Sequence, residues 1–188
     1  MPADVVELIK TDHREVERLF GLLKNNVDTR TLYVPVLAAL LIAHSRAEES
    51  EVYPVARSEA EETEEVAHSQ AEHAEAEELL VQLCEAPVDS PEFDSLLQQV
   101  VDAVTHHVQE EEEKVLPGMQ QRLSVARRAE LANAFATARM EHLGDRPGQA
   151  KKEDLVQQAE NAGISGAGSK SKEQIKEALL QEAEQSSD

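Results

Sequence analysis

Apolar residues recur every three or four positions along most of residues 1–144. That is the period of one face of an α-helix, whereas the strict alternation typical of a half-buried strand is rare. The chain is therefore predicted to be all-α. The predicted helices cover about residues 4–25, 29–55, 60–85, 90–117 and 124–141. Pro54 is expected to kink or end the second of them, because proline cannot donate a helical hydrogen bond.

The pattern changes near Gly144, where two glycines and a proline predict a linker over residues 144–150. A short helix is predicted at 151–161, closed by Gly163, and a second one at 171–184. Ser171 and Gln174 have the spacing of a capping box at the start of that second helix. We therefore predict three parts: an up-down four-helix bundle with an additional short helix (1–143), the linker (144–150) and a small C-terminal helix-loop-helix module (151–184).

Composition narrows the function classes. The formal charge is −20, from 18 basic and 38 acidic residues. Such a charge opposes non-specific binding to nucleic acid or to anionic membranes, which both need a basic surface. Cys84 is the only cysteine, which excludes an intramolecular disulfide and a metal site made of thiolates alone. The longest apolar run, 34–43, is too short to cross a bilayer, and the start lacks a basic stretch followed by an apolar one. We expect a cytoplasmic protein with no membrane partner.

The ends of the second and fourth predicted helices repeat one another. Residues 44–54 align without gaps on residues 107–117, and five of the eleven positions are identical. Among the identities are His44 with Glu48 and His107 with Glu111. A separation of four residues places both side chains of each pair on the same helix face.

The apolar stripes show which face this is. Each stripe is continued by polar residues in steps of three and four. The stripes read Ile9, His13, Val16, Phe20 on the first helix; Leu37, Leu41, His44, Glu48, Val52 on the second; Val66, His73, Glu77, Leu80, Cys84 on the third; and Val100, Val104, His107, Glu111, Val115 on the fourth. All four helices thus direct a histidine into the core, and two add a glutamate one turn later.

These six candidate ligands are His13, His44, Glu48, His73, His107 and Glu111. A buried carboxylate is costly unless it is paired or binds a metal ion. Helical bundles build two-metal centres from inward-facing Glu and His on facing helices, and imidazole with carboxylate suits iron, manganese and zinc. The set therefore predicts a two-metal site rather than a purely structural acidic bundle.

The remaining histidines are weaker candidates. His106 lies about 100° around the helix from His107, and His68 lies about 140° from His73, at 100° per residue, so neither points to the same centre. His142 lies outside the four helices. Several other glutamates are expected to be solvated or to orient ligands, namely Glu49, Glu110, Glu112 and Glu113.

The six candidate ligands resemble the pattern of the hemerythrin-like family and its HHE cation-binding domain. That pattern has a histidine on the first helix, His-x3-Glu ending the second, a histidine on the third and His-x3-Glu ending the fourth. The resemblance covers roughly residues 4–117. It implies a non-haem di-iron centre that handles dioxygen, nitric oxide or peroxide. By the same resemblance, the four histidines would be terminal ligands, and Glu48 and Glu111 would bridge the ions.

One departure from the family bears on function. Oxygen carriers of the family have a second histidine one turn from the first on the third helix, whereas the positions four residues either side of His73 are Ser69 and Glu77. Glu77 is either a further oxygen ligand or a solvated or orienting group. The departure favours reactivity or sensing over simple oxygen transport. A metal-binding or redox-sensing module without turnover is the alternative.

The C-terminal part resembles a different kind of module. Residues 152–164 and 170–179 are similar to the helix-loop-helix of Rho-terminator N-terminal and SAP-like modules. The resemblance implies a contact with nucleic acid, supported by the cluster Lys170, Lys172 and Lys176. The negative charge of the segment favours instead a passive role or a protein partner.

Overall fold

The computed structural model describes residues 3–186, and within this range every regular element is helical. The prediction of an all-α chain is confirmed. The helices are α1 (Val5–Asn25), α2 (Arg30–Ala47), α3 (Tyr53–Glu59), α4 (Thr63–Glu85), α5 (Pro91–Glu113), α6 (Val115–Arg122), α7 (Val125–His142), α8 (Lys152–Asn161) and α9 (Lys172–Ser186).

The helix starts follow from capping. Asp4 accepts a hydrogen bond from the backbone N–H of Val6, and Ser90 accepts one from Phe93, with Pro91 at the first helical position. Ser171 and Gln174 form the predicted capping box. Gly163, which follows α8, has φ = +76°, a value that glycine adopts without the steric cost of a side chain.

The four long helices enclose one interior. Helix α1 contacts α2, α2 contacts α4, α4 contacts α5, and α5 contacts α1. This closed ring of contacts is consistent with the predicted four-helix bundle. Helix α7, the predicted additional helix, packs across α1 and α2.

Proline accounts for one difference from the predicted helix ends. Helix α2 ends at Ala47, before Pro54, but the chain does not leave helical geometry there. Instead, a π-helical turn, Glu48–Val52, joins α2 to α3. In this wider turn the Tyr53 N–H bonds to the Glu48 carbonyl, five residues back. The wider turn gives the pyrrolidine ring of Pro54 room that a regular turn would deny it. It also lies at the position of a candidate ligand.

Three other predictions need correction. The fourth helix was expected to continue to about residue 117, but α5 ends at Glu113, and Lys114 forms a turn before α6 begins at Val115. The third helix begins at Thr63 rather than near residue 60, because Glu61 adopts a positive φ of 59°. Cys84 is exposed, and its neighbour Leu83 is buried instead.

The C-terminal helices lie against the bundle. Helix α9 contacts α4, and α8 contacts both α4 and the π-helical turn. Ala74 of α4 packs against the small apolar cluster of the C-terminal segment. Two buried amides, Gln158 and Asn161, donate to the side chain and the backbone carbonyl of Glu49 at 2.9 Å each. The predicted module is thereby tied to the helix that carries His44.

One continuous helical stretch, Val27–Glu59, is long and apolar enough to be considered as a membrane span on length and composition alone. Half of its most apolar window is buried inside the protein. The stretch also carries buried charged groups, among them Arg46 and Glu48. The absence of a membrane partner and the cytoplasmic location stay predictions.

Candidate metal centre

The six candidate ligands occupy a polar layer between two hydrophobic clusters. One cluster contains Val16, Leu41 and Val104, and the other contains Ile9, Val52 and Val115. On each helix the ligand positions fall between the apolar positions of these clusters. None of the six residues is more than 6% exposed. The inward direction predicted from the stripes is therefore what the structure has.

Glu48 occupies the middle of this layer. Its Oε1 lies 3.2 Å from His44 Nε2, and its Oε2 lies 3.4 Å from His73 Nε2. Ligand atoms of His13, His44 and Glu48 all lie within 4.8 Å of one another, and so do those of Glu48, His73 and His107. One carboxylate thus belongs to two separate three-residue groups.

Glu111 is placed less symmetrically. Its Oε2 lies 3.3 Å from His13 Nε2, and its side chain is fully buried. It belongs to neither of the two three-residue groups that share Glu48. A bridging role for Glu111 therefore stays a prediction.

Several polar atoms of this layer are left without partners, whereas the Nε2 atoms of His73 and His107 lie 3.0 Å from each other. Six buried atoms have no hydrogen-bond partner among the described residues: His13 Nε2, His44 Nε2, both carboxylate oxygens of Glu48 and both of Glu111. Buried polar atoms are normally hydrogen-bonded, and leaving them unpaired is costly. The orphaned atoms are imidazole nitrogens and carboxylate oxygens, which are good ligands for divalent metal ions. The residues present therefore fit a metal centre.

The outward-facing nitrogen of each histidine is held by a carboxylate from another helix. The four pairs are His13 Nδ1 with Glu112 (2.9 Å), His44 Nδ1 with Asp12 (3.2 Å), His73 Nδ1 with Glu49 (3.2 Å) and His107 Nδ1 with Glu72 (2.9 Å). A carboxylate on Nδ1 fixes the tautomer and the ring orientation, leaves Nε2 free for a metal ion and makes it a stronger ligand.

These four carboxylates follow a simple rule. Each is the sequence neighbour of a candidate ligand on its own helix, and each reaches the histidine of the next helix around the bundle: Asp12 beside His13, Glu49 beside Glu48, Glu72 beside His73 and Glu112 beside Glu111. A neighbouring residue projects about 100° around the helix, which points it at the adjoining helix. Sequence analysis left Glu49 and Glu112 open between a solvated and an orienting role, and it missed Asp12 and Glu72. An acidic residue next to an inward ligand is the signal that would have found them.

Two histidines of the centre, His44 and His73, have raised pKa values. Burial alone would lower the pKa of His44, but Glu48 and Asp12 raise it to about 10. Burial is likewise outweighed at His73, where Glu48 and Glu49 raise the pKa to about 9. The pKa of the Glu48 carboxyl is held well below its usual range by His44 and His73, although burial opposes this. A metal ion that binds at the Nε2 of either histidine must displace a proton.

Glu77 has other partners. Both of its oxygens accept from the Arg46 guanidinium, at 2.9 and 2.7 Å, and its Oε1 also accepts from the Gly148 N–H at 2.8 Å. Arg46 is itself buried and pairs with Glu49 at 2.8 Å. Of the two roles left open for Glu77, the structure places it in an orienting network behind Glu49. His142 lies apart, paired with Asp145 at 2.7 Å.

Asp12 offers a direct test of the orienting carboxylates. Replacing Asp12 with asparagine removes the anionic partner of His44 Nδ1 and is expected to weaken metal binding by about 10- to 100-fold. Competition with a chromogenic chelator measures this change. Asp102→Asn, at an exposed position of α5, is the matched control and should keep the native affinity. A native affinity in the Asp12 variant would show that Asp12 does not support the centre.

Comparisons with known proteins bear on this geometry. The hemerythrin HHE cation-binding domain matches residues 4–119. A protein described as a DNA nickase, from Nostoc sp. strain PCC 7120, is 30% identical over 138 residues, which cover 72% of this chain and 39% of that protein. The chain thus spans about two fifths of the length of this relative. No solved structure matches the chain at a significant level.

Proposed function

Because the chain belongs to the hemerythrin family of HHE cation-binding domains, we propose that it holds two non-haem iron ions in the interior of a four-helix bundle. The protein would use these ions to bind, sense or reduce dioxygen, nitric oxide or peroxide. The observation that carries the proposal is the position of Glu48. Its two oxygens face histidines of two different groups, and neither oxygen has a hydrogen-bond partner. A single-metal site would leave one of these oxygens unexplained.

The proposed ligand assignment follows the two groups around Glu48. His13 and His44 would hold one ion and His73 and His107 the other, with Glu48 shared between them. Glu111, next to His13, would be the second bridge. The orienting carboxylates keep all four Nε2 atoms directed inward, so the chain needs little rearrangement to accept the ions. Manganese and zinc suit the same ligand types, and the choice of iron rests on the family.

The space beside the centre suits a very small ligand. A cavity of about 30 Å³ is lined by the four histidines and by apolar side chains, among them Leu41, Leu80 and Val104. This volume holds a water-sized molecule but no organic substrate. Its apolar wall favours a neutral diatomic molecule or peroxide over a charged metabolite.

Tyr53 places a hydroxyl next to His73, one of the histidines that line this space. It is fully buried, and its hydroxyl lies 3.1 Å from His73 Nε2. Burial, together with the surrounding carboxylates, raises the pKa of its phenol well above the ordinary value, so the proton stays on the oxygen. Once a metal ion engages His73 Nε2, the Tyr53 hydroxyl would lose this partner and could donate to a small ligand in the cavity. When bound, iron supplies open coordination positions and a change of oxidation state.

Metal content and optical absorption together test the proposal. After anaerobic loading with ferrous iron and desalting, the full chain should retain about two ions, as other bundle-core di-iron sites do. Oxidation and addition of azide should produce ligand-to-metal absorption in the visible region. Parallel loading with manganese and zinc separates iron preference from general metal binding. Fewer than one retained ion per chain with every metal would overturn the proposal.

A sensing role without turnover is the second candidate, and one contact favours it. Glu49 bonds to His73 Nδ1 through one oxygen and to Gln158 of α8 through the other. A change at His73 would therefore reach the C-terminal segment through a single carboxylate. Hydrogen exchange of α8 should then differ between metal-free and metal-loaded protein. Equal exchange in the two states would rule out this route.

DNA nicking is not carried over from the Nostoc relative. The chain spans only 39% of that protein, and its formal charge of −20 opposes binding to a phosphate backbone. Lys176, one of the three lysines expected to contact nucleic acid, instead donates to the Gly148 carbonyl at 2.6 Å. Incubation of the metal-loaded chain with supercoiled plasmid is the appropriate check, and relaxed circles would reopen this function.

A further inference from the structure

Outside the buried centre, two histidines that point away from it each lie close to a glutamate of the other's helix. We call this set the outer cluster; its members are His68, Glu72, His106 and Glu110. Both helices contribute a His-x3-Glu pair, one from α4 and one from α5, so the outer cluster repeats the spacing seen at His44 and Glu48. Ligand atoms from all four residues lie within 4.8 Å of one another.

We propose that the outer cluster is a second, exchangeable site for a divalent transition-metal ion, coupled through Glu72 to the buried centre. The site itself stands independently of the function proposed above. Only the coupling rests on it.

The first argument is the geometry of the facing atoms. His68 Nε2 lies 3.1 Å from Glu110 Oε2 and 3.5 Å from Glu72 Oε1, and His106 Nε2 lies 3.6 Å from the same Glu72 oxygen. Both of these carboxylate oxygens are buried and lack a hydrogen-bond partner among the described residues. The imidazoles and carboxylates therefore converge without bonding to one another, as ligands of a shared cation do. Two imidazoles with two carboxylates suit zinc, cobalt, iron or nickel.

The second argument is access. His106 is 63% exposed and His68 is 33% exposed, so an ion bound here would remain in contact with solvent and could exchange. A surface cavity of about 280 Å³ opens beside His68, with Glu64 and Glu65 among its lining residues. These carboxylates raise the local concentration of cations. Lys114 opposes them but pairs with the other oxygen of Glu110, Oε1, at 2.8 Å, which leaves Oε2 directed at the cluster.

The third argument concerns the coupling. Glu72 Oε1 faces the outer cluster, whereas Oε2 accepts from His107 Nδ1 at 2.9 Å. A cation on Oε1 withdraws electron density from this carboxylate and weakens the hydrogen bond that Oε2 accepts from His107 Nδ1. His107 then becomes a weaker ligand at Nε2. One side chain thus links an ion at the surface to a ligand of the interior.

Zinc binding to the full chain tests the proposal. Protein is first loaded with iron and desalted, and Zn²⁺ is then titrated in competition with a chromogenic chelator. The native chain should bind one additional Zn²⁺. The double variant His68→Gln, His106→Gln and the single variant Glu110→Gln should each lose at least about tenfold in affinity for this ion. His142→Gln, which alters a histidine paired with Asp145, should bind Zn²⁺ as the native chain does.

The Zn²⁺ affinity of each variant is compared with that of native protein loaded and desalted in the same way. The expected loss of affinity therefore does not depend on which metal occupies the buried centre. Native Zn²⁺ affinity in both outer-cluster variants, with unchanged circular dichroism, would overturn the site. The coupling has its own readout: Zn²⁺ should shift the visible absorption of the azide-treated buried centre in the native chain and not in the double variant. A shift of equal size in both proteins would overturn the coupling.

Discussion

Replacement of Glu48 with glutamine should reduce the retained metal from about two ions per chain to fewer than one. The amide keeps the size of the side chain but removes the negative charge that both three-residue groups share. Each proposed ion then loses an anionic ligand, and neutral imidazoles compensate a buried divalent charge poorly. The metal-dependent rise in melting temperature should disappear as well, because it depends on the binding of metal to the native state. Elemental analysis after desalting and thermal melts with and without metal measure both effects.

The other glutamates provide controls for this result. Glu113→Gln changes an exposed residue of α5 whose side chain accepts a hydrogen bond from Gln109, and it should leave the metal content at the native level. Glu111→Gln should reduce the content less than Glu48→Gln does, since Glu111 contacts one histidine of the layer, His13. Retention of two ions by the Glu48 variant would contradict the shared role of this carboxylate.

Replacement of Arg46 with methionine should destabilise the metal-free protein by about 3–5 kcal/mol, because the loss of one partner leaves buried carboxylates uncompensated. Arg46 is 3% exposed and pairs with both Glu49 and Glu77. The pKa of Glu49 is lowered to about 2, since Arg46, His73 and Gln158 outweigh the effect of burial. Without Arg46, Glu49 loses the cation that most stabilises its charged form. Glu49 is also the carboxylate that holds His73 Nδ1, so the orientation of His73 is perturbed as well. Urea denaturation followed by circular dichroism measures the change in free energy of unfolding.

Arg18→Met is the matched control for this substitution. Arg18 also pairs with a glutamate three residues away, Glu15, but its side chain is 55% exposed. Exposed ion pairs contribute about 1 kcal/mol or less, so this variant should unfold almost as the native protein does. If the two variants lost the same free energy of unfolding, the buried network around Arg46 would stabilise the protein no more than an exposed ion pair does.

Sequence periodicity predicted the inward ligands for a clear physical reason. A helix face repeats every three or four residues, so an apolar stripe that continues through His44 and Glu48, or through His107 and Glu111, fixes the direction of those side chains. The same argument selected His73 over His68 and His107 over His106. In each case the selected residue is the more buried one.

The orienting carboxylates were harder to predict because their partners lie on other helices. Asp12 reaches His44 across 32 residues, and Glu72 reaches His107 across 35. Periodicity shows which face of a helix is buried but not how the neighbouring helix is rotated about its own axis. The pairing of side chains between helices therefore depends on packing. The outer cluster depends on packing in the same way, since His68 meets Glu110 only where α4 and α5 are in contact.

The π-helical turn at Glu48 also lay outside what the pattern could show. Pro54 indicated a disturbance of the helix, but whether a chain kinks, ends or widens by one residue depends on what surrounds it. Here Tyr53 and Val52 are fully buried on the far side of the turn. The wider turn keeps them in the core while it holds Glu48 and Glu49 in the polar layer, and such turns are frequent at functional sites.

X-ray absorption at the iron edge of the loaded full chain tests the two-metal centre most directly. A centre built around Glu48 predicts that histidine nitrogen and carboxylate oxygen bind the iron directly, with a second iron at about 4 Å or less. Loss of the iron–iron signal in the Glu48→Gln variant should accompany its lower metal content. An iron shell with histidine ligands but no metal neighbour in the fully loaded native chain would contradict the shared centre.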